Sequence, residues 1–180
     1  DTAPSTMLAV VHGVTGQLFF ALMVALAVFV SSAWKSDEPA QVHHSAKIDQ
    51  GLGIVAIACI VLQLVLGAVL RHEGAGLFVH ISMAALVLVL VLAAGVRAWG
   101  LTGRPPLLRQ LGTGLMSIVT VQVLLGFAAL AAVGSAPGSA SAGPLRALLA
   151  TPHQVNGALL LGCAVALALF DYRLLARPEA

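Results

Sequence analysis

Five stretches of the chain are apolar for about the twenty residues that a helix needs to cross the hydrocarbon core of a bilayer. Hydrophobic residues make up 59% of the 180-residue chain and charged residues only 9%, a balance typical of proteins that live in lipid. The sequence therefore predicts an all-α membrane protein with five transmembrane helices. The predicted spans are 7–33, 52–70, 77–96, 111–133 and 152–170.

The segments between these spans differ in character. Residues 34–50 are polar, residues 71–76 form a short Arg-His-Glu-Gly-Ala-Gly turn, and residues 97–109 are basic. Residues 134–150 are rich in Gly, Ser, Ala and Pro, which predicts a long, flexible, solvent-facing loop.

Lysine and arginine are distributed unevenly between the two sides of the predicted membrane. If the N-terminus lies outside, only Arg71 and Arg146 share that side. Because cytoplasmic loops carry an excess of Lys and Arg, we expect the N-terminus out and the C-terminus in. The residues then placed inside are Lys35, Lys47, Arg97, Arg104, Arg109, Arg173 and Arg177.

Several classes of protein are disfavoured by what the sequence lacks. Cys59 and Cys163 lie in apolar runs without C-x-x-C spacing, so they predict neither a disulfide framework nor a zinc site. The charge balance of +2 without basic clusters gives no reason to expect nucleic-acid binding. The chain opens Asp-Thr-Ala-Pro with no signal peptide, and we expect it to be cut from a longer protein.

Two hairpins of the chain repeat the same pattern. In the first, Gln63 and Gly67 lie four residues apart on one apolar span, a turn follows, and the next span opens near His80. In the second, Gln122 and Gly126 have the same spacing, and the following span opens with a histidine, His153. The repeat predicts two similar helical pairs whose histidines face each other.

The first span does not complete this pattern, because it carries His12 near its start but has no Gln-bearing helix before it. The chain therefore resembles two and a half repeats, and we expect a further helix upstream of Asp1 or from another chain. We divide the chain into 1–50, a first span with its loop, and 51–180, an up-down bundle of four helices.

The histidines of the first, third and fifth spans are predicted to lie at one depth near the outer surface. Ionisable residues within membrane spans are usually functional, and a neutral imidazole is the commonest metal ligand among side chains. Porphyrin iron accepts axial histidines from facing helices of a bundle. His80 and His153 are the predicted ligand pair of a heme, with His12 a third candidate at the same depth.

The helix starts at this surface offer a place for the carboxylates of such a cofactor. Helix N-termini favour anions, and Thr151 with Pro152 predicts the start of the last helix just before His153. Arg71 is either a fork-shaped partner for those carboxylates or a side chain that snorkels to the interface.

Less specific interpretations stay open for each of these residues. A single histidine near a helix end is commonly a polar anchor, and Gln63 and Gln122 either hydrogen-bond between helices or contact a ligand. His72 is expected at the rim of the site, and His43 and His44 in a solvated loop.

The order of these motifs resembles the heme A synthase family. The resemblance rests on the run from Gln63 to Gly76, on His80, on Gln122-Val-Leu-Leu-Gly126, on Pro152-His153-Gln154 and on the segment that follows His12. Family members have eight spans in two four-helix halves and lie in the cell inner membrane. They oxidise the methyl group of heme O to the formyl group of heme A for terminal oxidase assembly.

The resemblance implies that His80 and His153 hold a heme b, and that His12 is one of two histidines that hold the substrate heme O. It implies as partners the lipid bilayer, an upstream half and heme O synthase. The second substrate histidine and the acidic residue that precedes it have no counterpart, and Glu73 stands where relatives more often have threonine. No catalytic residue is therefore assigned.

Three functions follow from this sequence. The first is a heme A synthase-like oxidoreductase for which this chain supplies the heme b half. The second is a stand-alone membrane b-type cytochrome that carries electrons without oxygenase activity. The third is a heme-free assembly factor that keeps the bundle as a scaffold.

Overall fold

The computed structural model describes residues 5–100, 103–134 and 142–178, with side chains given except at 132–134 and 142–146. The described residues form six α-helices and two short strands. The helices are α1 (Thr6–Val30), α2 (Ser32–Lys35), α3 (Ala46–Glu73), α4 (Leu77–Gly100), α5 (Pro106–Gly134) and α6 (Ala142–Leu174). The strands β1 (Gln41–Val42) and β2 (Leu175–Ala176) pair in parallel.

The prediction of an all-helical protein with five membrane-length helices is confirmed. The five predicted spans fall on α1, α3, α4, α5 and α6, and each of these helices contains an 18-residue window with a mean hydropathy between 1.7 and 2.7. Such lengths and hydropathies suit a multi-pass protein in a lipid bilayer.

Helices α3, α4, α5 and α6 form a closed ring. Each packs against the next in sequence, and α6 packs back against α3. Neighbouring helices of the ring are antiparallel, as the contact of Asp49 near the start of α3 with Arg97 near the end of α4 illustrates. Helix α1 lies outside the ring against α3 and α6. The predicted boundary at residue 50 falls inside α3.

Helices α4 and α5 approach each other closely at a pair of glycines. A Cβ atom added at Gly112 would lie 2.6 Å from the carbonyl oxygen of Gly95 and 3.1 Å from the backbone nitrogen of Trp99. Only glycine permits this distance between backbones, which is a common way for membrane helices to pack.

The two ends of the ring carry different side chains. We call the end that contains Glu73, the turn 74–76 and His80 the histidine end. The opposite end, which contains Asp49, Arg97 and Arg104, is the arginine end. The seven lysines and arginines that the sequence places on one side all belong to helix ends or loops at the arginine end.

The segment 34–50 is more ordered than its polar sequence predicts. It contains the end of α2, the strand β1 and the first residues of α3. Arg173 holds this segment to the end of α6, because its Nε donates to the carbonyl of Trp34 at 3.0 Å and its Nη1 to that of Glu38 at 3.2 Å. The C-terminal residues thus close the arginine end.

The predicted start of the last helix at Thr151 and Pro152 is wrong, since α6 already begins at Ala142 and Pro152 lies inside it. Much of the predicted loop 134–150 is therefore helix, and residues 135–141 lie outside the described part. Residues 142–150 are mostly Ala, Leu and Arg, which favour helix, and proline is tolerated within membrane helices.

Candidate functional site

His80 is held in the first turn of α4 by the Gln-bearing helix before it. Its backbone N–H donates to the carbonyl of Gly76 at 2.9 Å, and its imidazole lies against Gly67 of α3. A Cβ added at Gly67 would be 3.1 Å from the Cε1 atom of His80. Gln63 Nε2 lies 3.2 Å from Nδ1 and 3.3 Å from Nε2 of this ring. One amide and one glycine thus position the imidazole.

His153 is held by the same two residue types in the second hairpin. A Cβ added at Gly126 of α5 would be 3.2 Å from the Cε1 atom of His153, and Gln122 Nε2 lies 3.3 Å from its Nε2. The repeat seen in the sequence is therefore a repeat of contacts, with α3 and α4 corresponding to α5 and α6.

The orientation of the Gln122 amide follows from its neighbours. Asn156 Nδ2 donates to the carbonyl of Ile118 at 3.0 Å and to Gln122 Oε1 at 2.7 Å. A carbonyl oxygen only accepts, so the nitrogen of Asn156 must face it, and the oxygen of Gln122 must face Asn156. The Gln122 NH₂ group then donates to Nε2 of His153, which keeps a lone pair there and the proton on Nδ1.

The Gln63 amide has the corresponding orientation. Its Nε2 donates to the backbone carbonyl of His80 at 3.1 Å, which fixes the nitrogen on the side of the ring. Both histidines thus face an NH₂ group and no carboxylate in these contacts. This surrounding favours the neutral imidazole, the form that binds metals.

The two histidines come from opposite corners of the ring. Helices α4 and α6 are not neighbours in the cyclic order α3, α4, α5 and α6, so His80 and His153 lie on a diagonal. Each of the two histidines is partly buried.

Only one of the two histidines lies at a helix N-terminus. His80 is in the first turn of α4, whereas His153 lies about three turns inside α6. The prediction that His153 opens its helix is wrong, and the argument from exposed helix N–H groups applies to α4 alone. The reason is the helix extension over residues 142–151.

Several polar atoms near this pair are buried without a hydrogen-bond partner among the described residues. They are Nδ1 of His153, Oε1 of Gln63 and Oε1 of Gln17. Unpaired polar atoms are costly in an apolar interior, and three more lie at the arginine end, Nε and Nη1 of Arg104 and Oδ1 of Asp171.

Arg71 bridges the two hairpins next to the histidine pair. It is exposed at the end of α3, and its Nη1 donates to Oε1 of Gln154, the residue after His153. Nearby, Thr6 Oγ1 donates to Glu73 Oε1 at 3.3 Å, which ties the start of α1 to the same end.

The other predicted histidines do not join the pair. His12 is exposed on α1, whose ring-facing side carries Gly13 and Gln17. His72 and His44 are exposed, and His43 Nδ1 lies 2.9 Å from the hydroxyl of Ser45 in the turn before α3.

A second polar cluster, at the arginine end, was missed by sequence reasoning. Asp49 accepts from Arg97 Nε at 2.6 Å and from Arg104 Nη2, and Arg104 Nη2 also donates to the hydroxyl of Ser45 at 2.8 Å. A cavity of about 10 Å³ beside them is lined in part by Asp171, whose Oδ1 is buried. One feature of the sequence could have indicated this cluster, because Asp49 is the one carboxylate between residues 46 and 70.

An apolar groove of about 300 Å³ lies between α1, α5 and α6. Neither this groove nor the small cavity at the arginine end is lined by His80 or His153. The groove is lined by Phe20, Val24, Leu111, Ile118, Leu159, Gly162 and Cys163. In the described residues, no three His, Cys, Asp or Glu side chains meet in a way that could hold a metal ion.

Sequence reasoning also gave no role to Asn156, Gln154 and Gln17. Asn156 bonds to Gln122, and Gln154 bonds to Arg71. Helical periodicity places Gln17 one turn beyond Gly13 on the same face. Comparison of the chain with known protein families, curated proteins and solved structures found no match.

Proposed function

We propose that this chain is the heme b half of a heme A synthase-like membrane oxidoreductase, with His80 and His153 as the two axial ligands. The observation that carries the proposal is the repeated set of contacts, in which a glutamine amide and a glycine position one imidazole in each hairpin. Two half-buried neutral imidazoles on a diagonal of a four-helix ring suit one iron between them.

The residues present fit a heme on three further grounds. His153 Nε2 carries the lone pair that a metal needs, and Nδ1 of the same ring and Oε1 of Gln63 have no partner among the described residues. The exposed guanidinium of Arg71 donates to Gln154, the residue after His153. A guanidinium at this place suits a cofactor carboxylate.

A heme held by two histidines would supply one-electron transfer, because both axial positions of its iron are filled. The chain's own residues then have simple roles. His80 and His153 bind, Gln63 and Gln122 orient the rings, and the apolar helices exclude water. His12, on the outward side of α1, is the proposed contact to the substrate heme O in an upstream half.

An absorption spectrum of the purified chain tests the ligand pair. We expect a Soret band with a bis-imidazole signature that is lost in both His80→Ala and His153→Ala and retained in His12→Ala. His72→Ala is a matched control, since His72 is an exposed histidine at the same end. A wild-type chain without a Soret band, or one whose band survives both ligand substitutions, would refute the proposal.

The second candidate is a stand-alone b-type electron carrier. The position of His12 favours it, because this histidine is exposed on α1 and no hydrogen bond or ion pair among the described residues joins it to a second histidine or a carboxylate. Cells that contain the chain and are supplied with heme O distinguish the two. Formation of heme A supports the enzyme, and intact heme b without heme A supports the carrier.

A further inference from the structure

Gln17 is a buried amide that no part of the proposed site yet uses. It lies on the ring-facing side of α1, is 8% exposed, and its Oε1 is buried without a partner among the described residues. A polar group in that state costs free energy within a membrane helix. The unpaired Oε1 of Gln17 therefore suggests that a hydrogen-bond donor reaches it in another state of the protein.

A candidate donor, the amide of Gln122, faces the same space beside Gly157. A Cβ atom added at Gly157 would lie 3.4 Å from Gln122 Nε2 and 4.0 Å from Gln17 Oε1. The amide nitrogen of Gln122 and the unpartnered oxygen of Gln17 therefore flank the same small gap, which the missing side chain of Gly157 keeps open.

Metal binding at His153 would free that donor. Gln122 Nε2 now donates to His153 Nε2, and a metal that takes the lone pair of this nitrogen removes the acceptor. The Gln122 amide cannot turn over to present Oε1 instead of its NH₂ group, because Oε1 already accepts a hydrogen bond from Asn156. A buried N–H left without an acceptor is costly, so it favours a new bond to an unpartnered acceptor that borders the same space.

We propose that, when a heme iron binds Nε2 of His153, the amide of Gln122 transfers its hydrogen bond to Oε1 of Gln17. Gln17 is then a positioning residue, and it ties α1 to the heme site only in the loaded state. This inference rests on the proposed heme site. Because coupling is reciprocal, heme binding holds α1 to the ring and α1 in turn slows the loss of heme.

Gln17→Leu tests the transfer, because it removes the acceptor and keeps a similar volume. Without heme, thermal unfolding should occur at the same or a higher temperature than in the wild type, since an unpaired buried oxygen is gone. With heme, the unfolding temperature should fall and heme should dissociate about threefold to tenfold faster, the effect of one net hydrogen bond. A purely structural role would move both states in the same direction.

Two further variants make the result specific. In a Gln122→Leu background, Gln17→Leu should have no further effect on heme dissociation. Val28→Ala loosens a buried contact of α1 at its other end and should leave heme dissociation unchanged.

The outcomes separate this inference from the proposed function. A Soret band together with equal effects of Gln17→Leu in the wild-type and Gln122→Leu backgrounds, or with stability changes of the same sign in both states, overturns the transfer alone. A wild-type chain that binds no heme overturns both.

Discussion

Different kinds of interaction stabilise the two ends of the helical ring. At the arginine end, Asp49 joins Arg97 and Arg104, and the side chains of α3 and α4 meet through charge. At the histidine end, His80 and His153 meet amides and glycines, and no described ion pair lies there. The first end pairs one carboxylate with two guanidinium groups, whereas the second presents imidazoles and amides, and each end keeps three buried polar atoms without a partner among the described residues.

This difference shows how a membrane protein can separate its scaffold from its site. A charge inside a membrane protein must be paired, so the arginine end fixes the helices relative to one another. The histidine end is free of that constraint and can keep lone pairs for a ligand. Buried polar atoms without a described partner occur at both ends, Gln17 Oε1, Gln63 Oε1 and His153 Nδ1 at this one and Arg104 Nε, Arg104 Nη1 and Asp171 Oδ1 at the other.

The largest effect is expected from Asp49→Asn at the arginine end. This change removes the carboxylate that pairs with the guanidinium of Arg104, whose side chain is 0% exposed, and breaking a buried ion pair costs about 3–5 kcal/mol. Chemical unfolding in detergent measures it. Asp37→Asn is the control, because Asp37 is exposed at the same end and should change stability by less than about 0.5 kcal/mol. A small effect of Asp49→Asn would mean that charge does not hold this end.

At the histidine end, shape should matter more than charge. Gly67→Ala and Gly126→Ala place a methyl group 3.1 and 3.2 Å from the two imidazoles, which must shift by a few tenths of an ångström. We expect a loss of about 1–2 kcal/mol in each, the usual range for overpacking, together with a weaker Soret band.

Gly51→Ala is the matched control for these glycine changes. It lies in α3 with no atom within 4 Å of the added methyl group. The change should therefore stabilise the chain by roughly 0.5–1 kcal/mol through helix propensity. If all three substitutions stabilise the chain, the imidazoles are not held by the glycines.

The glutamine pair should show a smaller effect, and an unequal one. Gln122→Leu removes bonds to Asn156 and His153 and should cost about 1–2 kcal/mol, while Gln63→Leu also removes an unpaired oxygen and should cost less than about 1 kcal/mol. Unfolding of both variants without heme measures the difference. Equal losses would show that the two hairpins are equivalent in energy as well as in contacts.

Periodicity and repetition predicted most of the fold and the core of the candidate site. Apolar runs gave the five long helices, and the Gln, Gly and His spacings gave the two sets of contacts, because such patterns are local along the chain. The start of α6 was wrong since Thr151 and Pro152 carry a helix-start signal that the apolar residues before them override. The partners of Asp49 and the burial of Gln17 could not be predicted, because each depends on helices that are distant in sequence.

The smallest effect on stability is expected from Arg71→Gln. Arg71 is exposed, and its single described bond goes to Gln154, so unfolding without heme should change by less than about 0.5 kcal/mol. Heme should nevertheless dissociate faster, and the dissociation should lose part of its salt dependence, if this guanidinium pairs with a cofactor carboxylate. Arg109→Gln makes the same charge change at an exposed position of the arginine end and should affect neither quantity. Equal heme dissociation in both variants would leave Arg71 with a structural role, the bridge between the two hairpins.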